Sequence, residues 1–256
     1  MPPKPDTTAA GTGRIRLNKA LAQAGVCSRR QADRLISGGK VTVNNRPARE
    51  LGMAVAPGDR VQVGERSFVV GHAPEPATIM VHKPVGVVTT VSDPEGRSTV
   101  MDLLPPEMAK RRVVPAGRLD AMSEGLLVMT TEGELLFRLT HPRWHVPKVY
   151  QILVAGPVEP GVLQTMSRGM VLREGEKLAP AKVRQLRGGP DETLLEMELI
   201  QGLNRQIRRM CRDLGLTIKR LKRVRQGPLT LGNLPPGKWR HLTAAELASL
   251  KRSVGL

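Results

Sequence analysis

The sequence is poor in cysteine, in aromatic residues and in long apolar runs, and each shortage excludes a class of protein. Its two cysteines, Cys27 and Cys211, stand far apart and outside any CxxC pair, which argues against a disulfide scaffold or a zinc ribbon and fits a reducing cytosol. Aromatic residues make up 2% of the chain, too few for a sheet that stacks RNA bases on several rings. No apolar run approaches the ~20 residues of a membrane-spanning helix, and the first residues lack the apolar segment of a signal peptide. We therefore expect a cytoplasmic protein with no membrane partner.

Acidic residues are scarce relative to basic ones, and this imbalance points to the partner. Lys plus Arg total 40 against 23 for Asp plus Glu, which gives a net charge of +17 and a pI near 11.0. Such an excess favours a polyanion, because each phosphate that Lys or Arg neutralises releases counterions. Walker A and GxGxxG motifs are absent, and Pro142 separates His141 from His145 with no third ligand nearby. We expect a nucleic-acid partner, no cofactor and no metal.

Residues 14–71 have the pattern of a small module of their own. A first helix, which Gly25 can end, is predicted by apolar residues at helical spacing: Leu17, Ala20, Leu21 and Ala24. Ser28 and Gln31 have the spacing of a capping box, which predicts a second helix that ends at the following glycine pair. The segment KVTVNNRPA then predicts a hairpin with Asn44 and Asn45 in its turn, and PGDRVQV repeats the alternation of a strand.

This first module resembles the S4 RNA-binding domain, a helix-helix-hairpin module. The matching residues are RLNKALAQAGVCSRRQADRLISGGKVTVNNRPA, followed by PGDRV. Arg29, Arg30 and Arg34 lie on the second predicted helix, whose N-terminal amides also favour phosphate. The resemblance implies that these arginines, together with Lys40, contact RNA. Taken alone, the arginines would fit a solvated helix face.

After a loose tail at residues 1–13, the module at 14–71 and a linker at 72–77, a larger domain is expected at residues 78–256. Its predicted strands are 79–81, 125–130, 148–154 and 192–200. Three helices are predicted: a short one that begins with a capping box of Thr131 and Glu134, a second at 204–214 and a third at 243–251. A turn is expected at residues 93–96 and a loop at Pro235–His241. Because strands dominate and helices lie between them, we expect an α+β domain with a mostly antiparallel sheet.

Five segments of this larger domain resemble, in order, the signature motifs of the RsuA-type pseudouridine synthases. They are HKPVGVVTT, GRLDAMSEGLLVMTTEG, HP followed by KVY, QGLNRQIRRMCRDLG, and RLKRVRQGPL. An S4 domain ahead of the catalytic domain is the usual arrangement in that family. The resemblance implies that the protein isomerises a uridine of RNA to pseudouridine. The segment QGLNRQIRRMC is most similar to the RluF-type enzymes, which act on large-subunit ribosomal RNA.

By this resemblance three residues carry the chemistry. Asp120 corresponds to the nucleophile, a role for an ionised carboxylate that needs no cofactor. Attack at the sugar C1′, addition at the base C6 and formation of a glycal are all compatible with it. Arg208 is expected to keep a buried Asp120 charged through two hydrogen bonds, because burial alone would neutralise the acid. Tyr150, the chain's single tyrosine, is expected to pack against a flipped-out base, although a lone tyrosine in a strand also fits a half-buried core position.

Three further residues are expected to bind the substrate. Arg118 corresponds to a basic residue that holds the flipped nucleotide or fills its place, and a surface phosphate contact is the alternative. Leu221 corresponds to an apolar residue under the uracil, and an inward core position explains it equally well. Lys83 is expected to be structural or to contact a backbone phosphate.

Three other arginines of the segment that contains Arg208 are expected to meet RNA phosphates or solvent: Arg205, Arg209 and Arg212. A solvated basic stripe explains these arginines about as well. Ser123 stands where the family more often has threonine, and we expect this change to leave the chemistry untouched.

The expected partner is ribosomal RNA, 23S rather than 16S, with transfer RNA as a further possibility, and the expected state is a monomer. The main alternative is a non-catalytic S4-domain protein of ribosome assembly, which would not need the Asp, Tyr and Arg set. A DNA-binding regulator has only the net charge in its favour.

Overall fold

The computed structural model describes residues 13–71 and 75–256. The chain divides into two compact units. One extends to Pro76 and includes Lys110–Arg112, and the other comprises Ala77–Ala109 and Val113–Leu256. The tail predicted for residues 1–13 lies outside the described residues except for Gly13, as do residues 72–74 of the predicted linker.

The first unit has two helices followed by short strands. Within the described residues its elements are β1 (Ile15–Arg16), α1 (Leu17–Gln23), α2 (Arg29–Ser37), β2 (Val41–Val43), β3 (Arg46–Ala48), β4 (Ala54–Val55), β5 (Arg60–Val63) and β6 (Arg66–Val69). Helix α1 buries Leu17, Ala20 and Leu21 as predicted. The Ser28 side chain accepts a hydrogen bond from the Gln31 amide at 3.2 Å, which confirms Ser28 as the cap of α2.

Four of these strands form an antiparallel sheet in the order β3-β2-β5-β6. Asn44 and Asn45, between β2 and β3, have φ angles of 49° and 63°. A two-residue hairpin turn with positive φ at both positions matches the twist of the strands, and asparagine adopts it at low cost. The hairpin predicted at these residues is confirmed.

The second unit is built on one large sheet. Its elements are β7 (Thr78–Lys83), α3 (Pro106–Lys110), β8 (Val114–Pro115), β9 (Glu124–Thr130), α4 (Gly133–Thr140), β10 (Lys148–Ala155), α5 (Pro160–Arg168), β11 (Lys182–Arg187), β12 (Glu192–Leu199), α6 (Gln206–Asp213), β13 (Ile218–Gln226), β14 (Leu229–Thr230), β15 (Trp239–His241) and α7 (Ala244–Arg252), with a short 3-10 turn at Pro142–Trp144. Lys110 at the end of α3 is grouped with the first unit.

Nine strands form this sheet, in the order β11-β12-β10-β13-β9-β7-β15, with β14 beside β13 and β8 beside β9. Among the described strands only β13 and β9 pair in parallel, so the prediction of an α+β domain with a mostly antiparallel sheet is confirmed. Every residue of β9 is buried, as expected for the strand predicted at 125–130.

The parallel pair brings two backbones unusually close. Gly125 has a φ of 113°, and a Cβ atom added there would lie 2.2 Å from the Arg223 carbonyl oxygen. Only glycine permits this approach of β9 to β13. It places the loop that precedes β9 beside the side chains of β13.

Apolar side chains on both faces of the sheet form the core. One cluster joins α5 and α6 to the sheet through Ile152, Met166, Leu195, Met197, Ile207, Met210 and Leu221. A second joins α4 and α7 to it through Met80, Leu126, Val128, Leu135, Leu139 and Leu250. Helix α6 buries Ile207, Met210 and Cys211 as predicted, but begins at Gln206 rather than at Asn204, after Arg205 in a left-handed conformation.

Two local predictions are wrong. Glu132, not Thr131, precedes α4, and no side chain caps that helix; the Thr131 hydroxyl instead accepts a hydrogen bond from the Ala77 amide at 3.0 Å. The predicted loop at Pro235–His241 contains β15, which pairs with β7. Among the described residues, no helix is both long and apolar enough to cross a membrane.

Candidate active site

Asp120 lies in the loop between β8 and β9, and the backbone on both sides of it is fixed. The Thr89 hydroxyl donates to the Leu119 carbonyl at 2.7 Å and also accepts from the Leu119 amide. The Ser123 amide donates to the Asp120 carbonyl at 2.9 Å, which closes a tight turn. The Asp120 side chain is 37% exposed, so the prediction of a buried carboxylate is wrong: it faces an open cleft.

Arg208, in the first turn of α6, faces Asp120. Its Nε atom lies 3.9 Å from Asp120 Oδ2, and its Nη2 group donates to the Met122 carbonyl at 2.6 Å and to the Ser123 hydroxyl at 3.2 Å. Burial lowers the pKa of Arg208, and the charge of Asp120 opposes that shift. The two predicted hydrogen bonds to Asp120 are not present, because the guanidinium group donates its hydrogen bonds to the turn that contains Asp120.

The Nε atom of Arg208 is buried, and no hydrogen-bond acceptor among the described residues reaches it. Buried donors in folded proteins are nearly always paired. This one points toward a carboxylate just beyond hydrogen-bonding distance, so a small movement of either side chain would complete an ion pair.

Tyr150 and Leu221 line the cleft from the neighbouring strands β10 and β13. Tyr150 is paired with Arg223, and Leu221 is paired with Ile152, two residues along the same strand. Because paired residues of an antiparallel ladder share a face, Tyr150 and Leu221 lie on one side of the sheet. Leu221 is 5% exposed and belongs to the core beneath the cleft, so both of its predicted roles are compatible with its position.

The same cleft collects six of the residues singled out from the sequence: Arg118, Asp120, Tyr150, Arg205, Arg208 and Leu221. Its other wall is the segment between β12 and α6, where the Leu203 amide donates to the Gln206 side chain at 3.2 Å. Arg205 ends that segment with a φ of 50°, a conformation that costs energy in a non-glycine residue and is often found at functional sites. A carboxylate, a cation, a phenol and an apolar floor thus surround one opening.

Lys83 does not contribute to this cleft, and its prediction as a substrate-binding residue is wrong. The side chain is fully enclosed, and its ammonium group donates to the carbonyls of Pro84 at 2.8 Å and Val87 at 2.7 Å, with a longer contact to Ala121. Burial lowers the pKa of Lys83 to about 8, against the opposing charges of Asp120 and Glu124. The structural alternative describes this residue: it ties the end of β7 to the loop of Asp120.

Arg209 is also placed differently from the prediction. It bonds to Glu174 at 3.0 Å and to Glu176, and its side chain is 15% exposed. Two carboxylates neutralise its charge, so it is not available as a phosphate contact.

In the first unit, Arg29, Arg30, Arg34 and Lys40 are all exposed on or just after α2. Their exposure is compatible with RNA contact and with a solvated helix face alike.

Ser123 is the functional residue that the sequence reasoning missed. That the change from threonine leaves the chemistry untouched stays a prediction, but the role of the hydroxyl itself was not foreseen: the Ser123 side chain is buried and accepts a hydrogen bond from Arg208. The sequence did offer a signal for this role, since a hydroxyl is kept at this position.

Among residues 13–71 and 75–256, no group of three potential metal ligands lies close enough to hold an ion.

Comparisons with known proteins agree with this geometry. The family model described as RNA pseudouridylate synthase matches residues 77–213, and that of the S4 domain matches residues 15–61. An "Uncharacterized RNA pseudouridine synthase" of Aquifex aeolicus is 42% identical, over 94% of this chain and 96% of that protein.

Two further relatives carry more specific names. The "Ribosomal large subunit pseudouridine synthase B" of Bacillus subtilis is 36% identical over 92% of this chain and 95% of its own length. The "Dual-specificity RNA pseudouridine synthase RluF" of Escherichia coli is 36% identical over 92% of this chain and 78% of its own. A crystal structure of a pseudouridylate synthase superposes with a TM-score of 0.67 at 27% identity, over 92% of this chain and 99% of that one. With the matched motifs at the cleft, these findings show that the chain belongs to the RNA pseudouridylate synthase family.

Proposed function

We propose that this protein isomerises a specific uridine of ribosomal RNA to pseudouridine, with Asp120 as the nucleophile. The observation that carries the proposal is the convergence of Asp120, Tyr150 and Arg208 in one cleft of a chain that belongs to this family. Relatives named for the large ribosomal subunit support 23S rRNA as the substrate.

The reaction is an isomerisation and consumes no second reactant. The bond between C1′ and N1 of the uridine breaks, the base turns, a bond from C1′ to C5 forms, the C5 proton leaves and N1 gains a proton. The bond that Asp120 forms to the nucleotide as nucleophile breaks again before the product leaves, so the carboxylate is regenerated. Asp120 supplies the carboxylate at the reacting nucleotide. The Arg208 cation stabilises negative charge in the cleft during the reaction. The ring of Tyr150 packs against the flipped-out base, and Leu221 forms the floor below it.

RNA is held outside this cleft by charge. Arg118 and Arg205 at the rim bind the phosphates next to the target, and Arg29, Arg30 and Arg34 with Lys40 bind other phosphates of the RNA. The protein acts as a monomer in the cytoplasm, where ribosomal RNA is made and modified.

The test maps pseudouridines by carbodiimide-stop sequencing in ribosomal and transfer RNA from cells with and without the gene. We expect one site in 23S rRNA to disappear and to return with the wild-type gene but not with Asp120→Asn. Asp191→Asn, which changes an exposed loop acid, is the matched control and should restore the site. Purified Asp120→Asn should still bind 23S rRNA. Restoration of the site by Asp120→Asn would refute its role as nucleophile, and an unchanged map in every RNA would refute the proposed function.

A further inference from the structure

A cluster of aromatic and basic side chains lies at the end of α4 and is separate from the residues that line the cleft. The ring centroid of Phe137 is 5.0 Å from that of His141 and 5.3 Å from that of Trp144, and the last two are 5.6 Å apart. The guanidinium groups of Arg138 and Arg143 lie over Trp144, at 5.5 and 5.7 Å from its ring centroid. The chain has only two Phe, two Trp and one Tyr, so this grouping is unusual for it.

Local structure holds the rings of this cluster in place. Phe137 and His141 are four residues apart at the C-terminal end of α4 and therefore lie on one side of it. His141 begins the 3-10 turn, and its Nδ1 atom accepts a hydrogen bond from the Arg143 amide at 3.2 Å. Arg138 donates to the Val254 carbonyl at 3.0 Å, which fixes one of the two cations over the tryptophan. The rings are thus presented from a rigid support.

The outer rings of the cluster are open to solvent, although its inner ring rests on the core. Phe137 is 48% exposed, and within the part of the chain that the structure describes it is the one exposed Phe, Trp or Tyr. His141 is also exposed, whereas Trp144 is half-buried and packs against the core beneath α4 and α7. Flat ring faces that remain accessible to solvent are the surfaces on which unpaired nucleic-acid bases stack.

The charge and the position of the cluster favour RNA as its partner. Arg143 is exposed, and no carboxylate among residues 13–71 and 75–256 pairs with it, so its charge is available to the phosphate of a stacked nucleotide. Trp144 is six residues before Tyr150 in the sequence, so even a fully extended chain places their Cα atoms at most about 20 Å apart. An RNA strand that reaches Tyr150 can therefore extend to the cluster.

We propose that Phe137 and His141 stack one unpaired base of the substrate RNA, a few nucleotides from the target uridine, and that Arg143 binds the adjacent phosphate. The inference rests on the proposed function, because it takes the substrate RNA as the ligand. Since Nδ1 of His141 accepts a hydrogen bond, the neutral imidazole has its proton on Nε2, which serves as a donor to the same nucleotide. A contact outside the cleft contributes binding and not chemistry, so its loss should raise KM and leave kcat unchanged.

The test combines substitutions of Phe137 with abasic nucleotides in the RNA. The RNA is a fragment that contains the uridine identified by the mapping above with flanking sequence on both sides. Each flanking nucleotide is made abasic in turn, and Kd is measured by filter binding. We expect one abasic position to weaken binding by wild type about tenfold, within the range for loss of one base–aromatic stack. The same position should have no effect on Phe137→Ala, which already lacks the stacking ring.

Two further variants separate stacking from packing. Phe137→Leu fills the space beside Trp144 but has no ring face, so it should bind the unmodified RNA about tenfold more weakly than wild type, as Phe137→Ala should. Phe137→Trp keeps a ring and should keep the wild-type Kd. All three should retain the wild-type single-turnover rate at saturating RNA. Leu186→Ala, at an exposed apolar site on the edge strand β11, is the matched control and should keep both the Kd and the sensitivity to every abasic position.

The outcomes that contradict the inference are distinct from those that contradict the proposed function. Wild-type affinity of Phe137→Leu would overturn the inference, because it would show that the site needs apolar packing and not a ring. A Phe137→Ala variant that is as sensitive as wild type to every abasic position would overturn it as well. Absence of pseudouridine from the wild-type reaction would instead refute the proposed function, and the abasic series would still decide whether the cluster stacks a base.

Discussion

Arg208→Met is the substitution that tests the site most directly. Methionine replaces the aliphatic part of the side chain but removes the charge that faces Asp120 at 3.9 Å. It also removes the two hydrogen bonds to the turn at Met122 and Ser123. The variant should fold, because Arg208 is in the first turn of α6 and the apolar face of that helix is formed by other residues.

The size of the effect follows from the distance between the charges. Two unit charges 3.9 Å apart interact by about 1 kcal/mol in water and by about 4 kcal/mol at an effective dielectric constant near 20. In the open cleft the interaction energy of the two charges is near the first value. Bound RNA excludes water and so raises this energy toward the second value. The difference of about 3 kcal/mol contributes to kcat/KM, so Arg208→Met should lower kcat/KM by about 10²-fold.

The assay follows the release of tritium from 5-³H-uridine in unmodified 23S transcript, since the C5 hydrogen leaves when pseudouridine forms. Arg208→Lys keeps a charge but cannot hold the turn and face Asp120 at once, so its rate should lie between those of wild type and Arg208→Met. Arg212→Met, an exposed position on the same helix that is paired with Glu174 and Asp213, is the control and should match wild type. A value for Arg208→Met within about threefold of wild type would refute the reasoning. A loss that appears wholly in RNA affinity would show that Arg208 is only a phosphate contact.

Three further predictions follow from the same loop and its neighbours. Ser123→Ala should lower kcat several-fold through loss of its bond to Arg208, with KM unchanged, whereas Ser123→Thr should keep the rate; a shift in KM alone would contradict this. Gly125→Ala should destabilise the fold by about 3 kcal/mol or more in urea unfolding, because its Cβ would lie 2.2 Å from the Arg223 carbonyl oxygen. The control is Gly175→Ala, which should cost about 1 kcal/mol, since Gly175 also has a positive φ, 88°, but has open space around it. Because the pKa of Lys83 is lowered from 10.5 to about 8 in the fold, the folded chain binds fewer protons than the unfolded chain between those values, so stability from this group should rise with pH across that window. Urea midpoints of Lys83→Met should lack that part of the rise, and an identical pH dependence would show that Lys83 is not buried as described.

The sequence was sufficient to find the residues of the site but not the way they interact. Tyr150 and Leu221 come from motifs that form strands, which fix where their side chains point, and Asp120 comes from the motif that immediately precedes strand β9. The guanidinium group of Arg208 is at the end of a long side chain with several rotatable bonds. Its hydrogen-bond partners are in a loop over eighty residues earlier in the sequence. No local pattern reports such a pairing, so a bidentate contact with Asp120 was a reasonable and wrong expectation. For Lys83, a motif position gave no indication that the ammonium group would be enclosed by carbonyls.

Local patterns in the fold had a similar limit. The spacing of Thr131 and Glu134 suits a capping box, but tertiary contact draws the Thr131 hydroxyl to Ala77. A capping box does form at Thr243 and Glu246, ahead of α7, where the sequence shows the same spacing. Strand β15 is only three residues long, too short to show alternation, and it exists because the edge of β7 offers it hydrogen bonds.

The turn at Asp120 explains how a half-exposed carboxylate can still be held in place. A nucleotide must enter from outside, so the cleft has to stay open and burial cannot fix the acid. The order comes instead from the backbone: Thr89 holds Leu119, Gly86 and Lys83 hold Ala121, and Arg208 holds Met122 and Ser123. These hydrogen bonds act as clamps on the loop. An ammonium group is costly to enclose unless it is hydrogen-bonded, and the enclosed ammonium group of Lys83 donates to the carbonyls on both sides, so we understand Lys83 as one of these clamps. Because the clamps act on the position of Asp120 and not on RNA, weakening any of them should reduce kcat more than it raises KM.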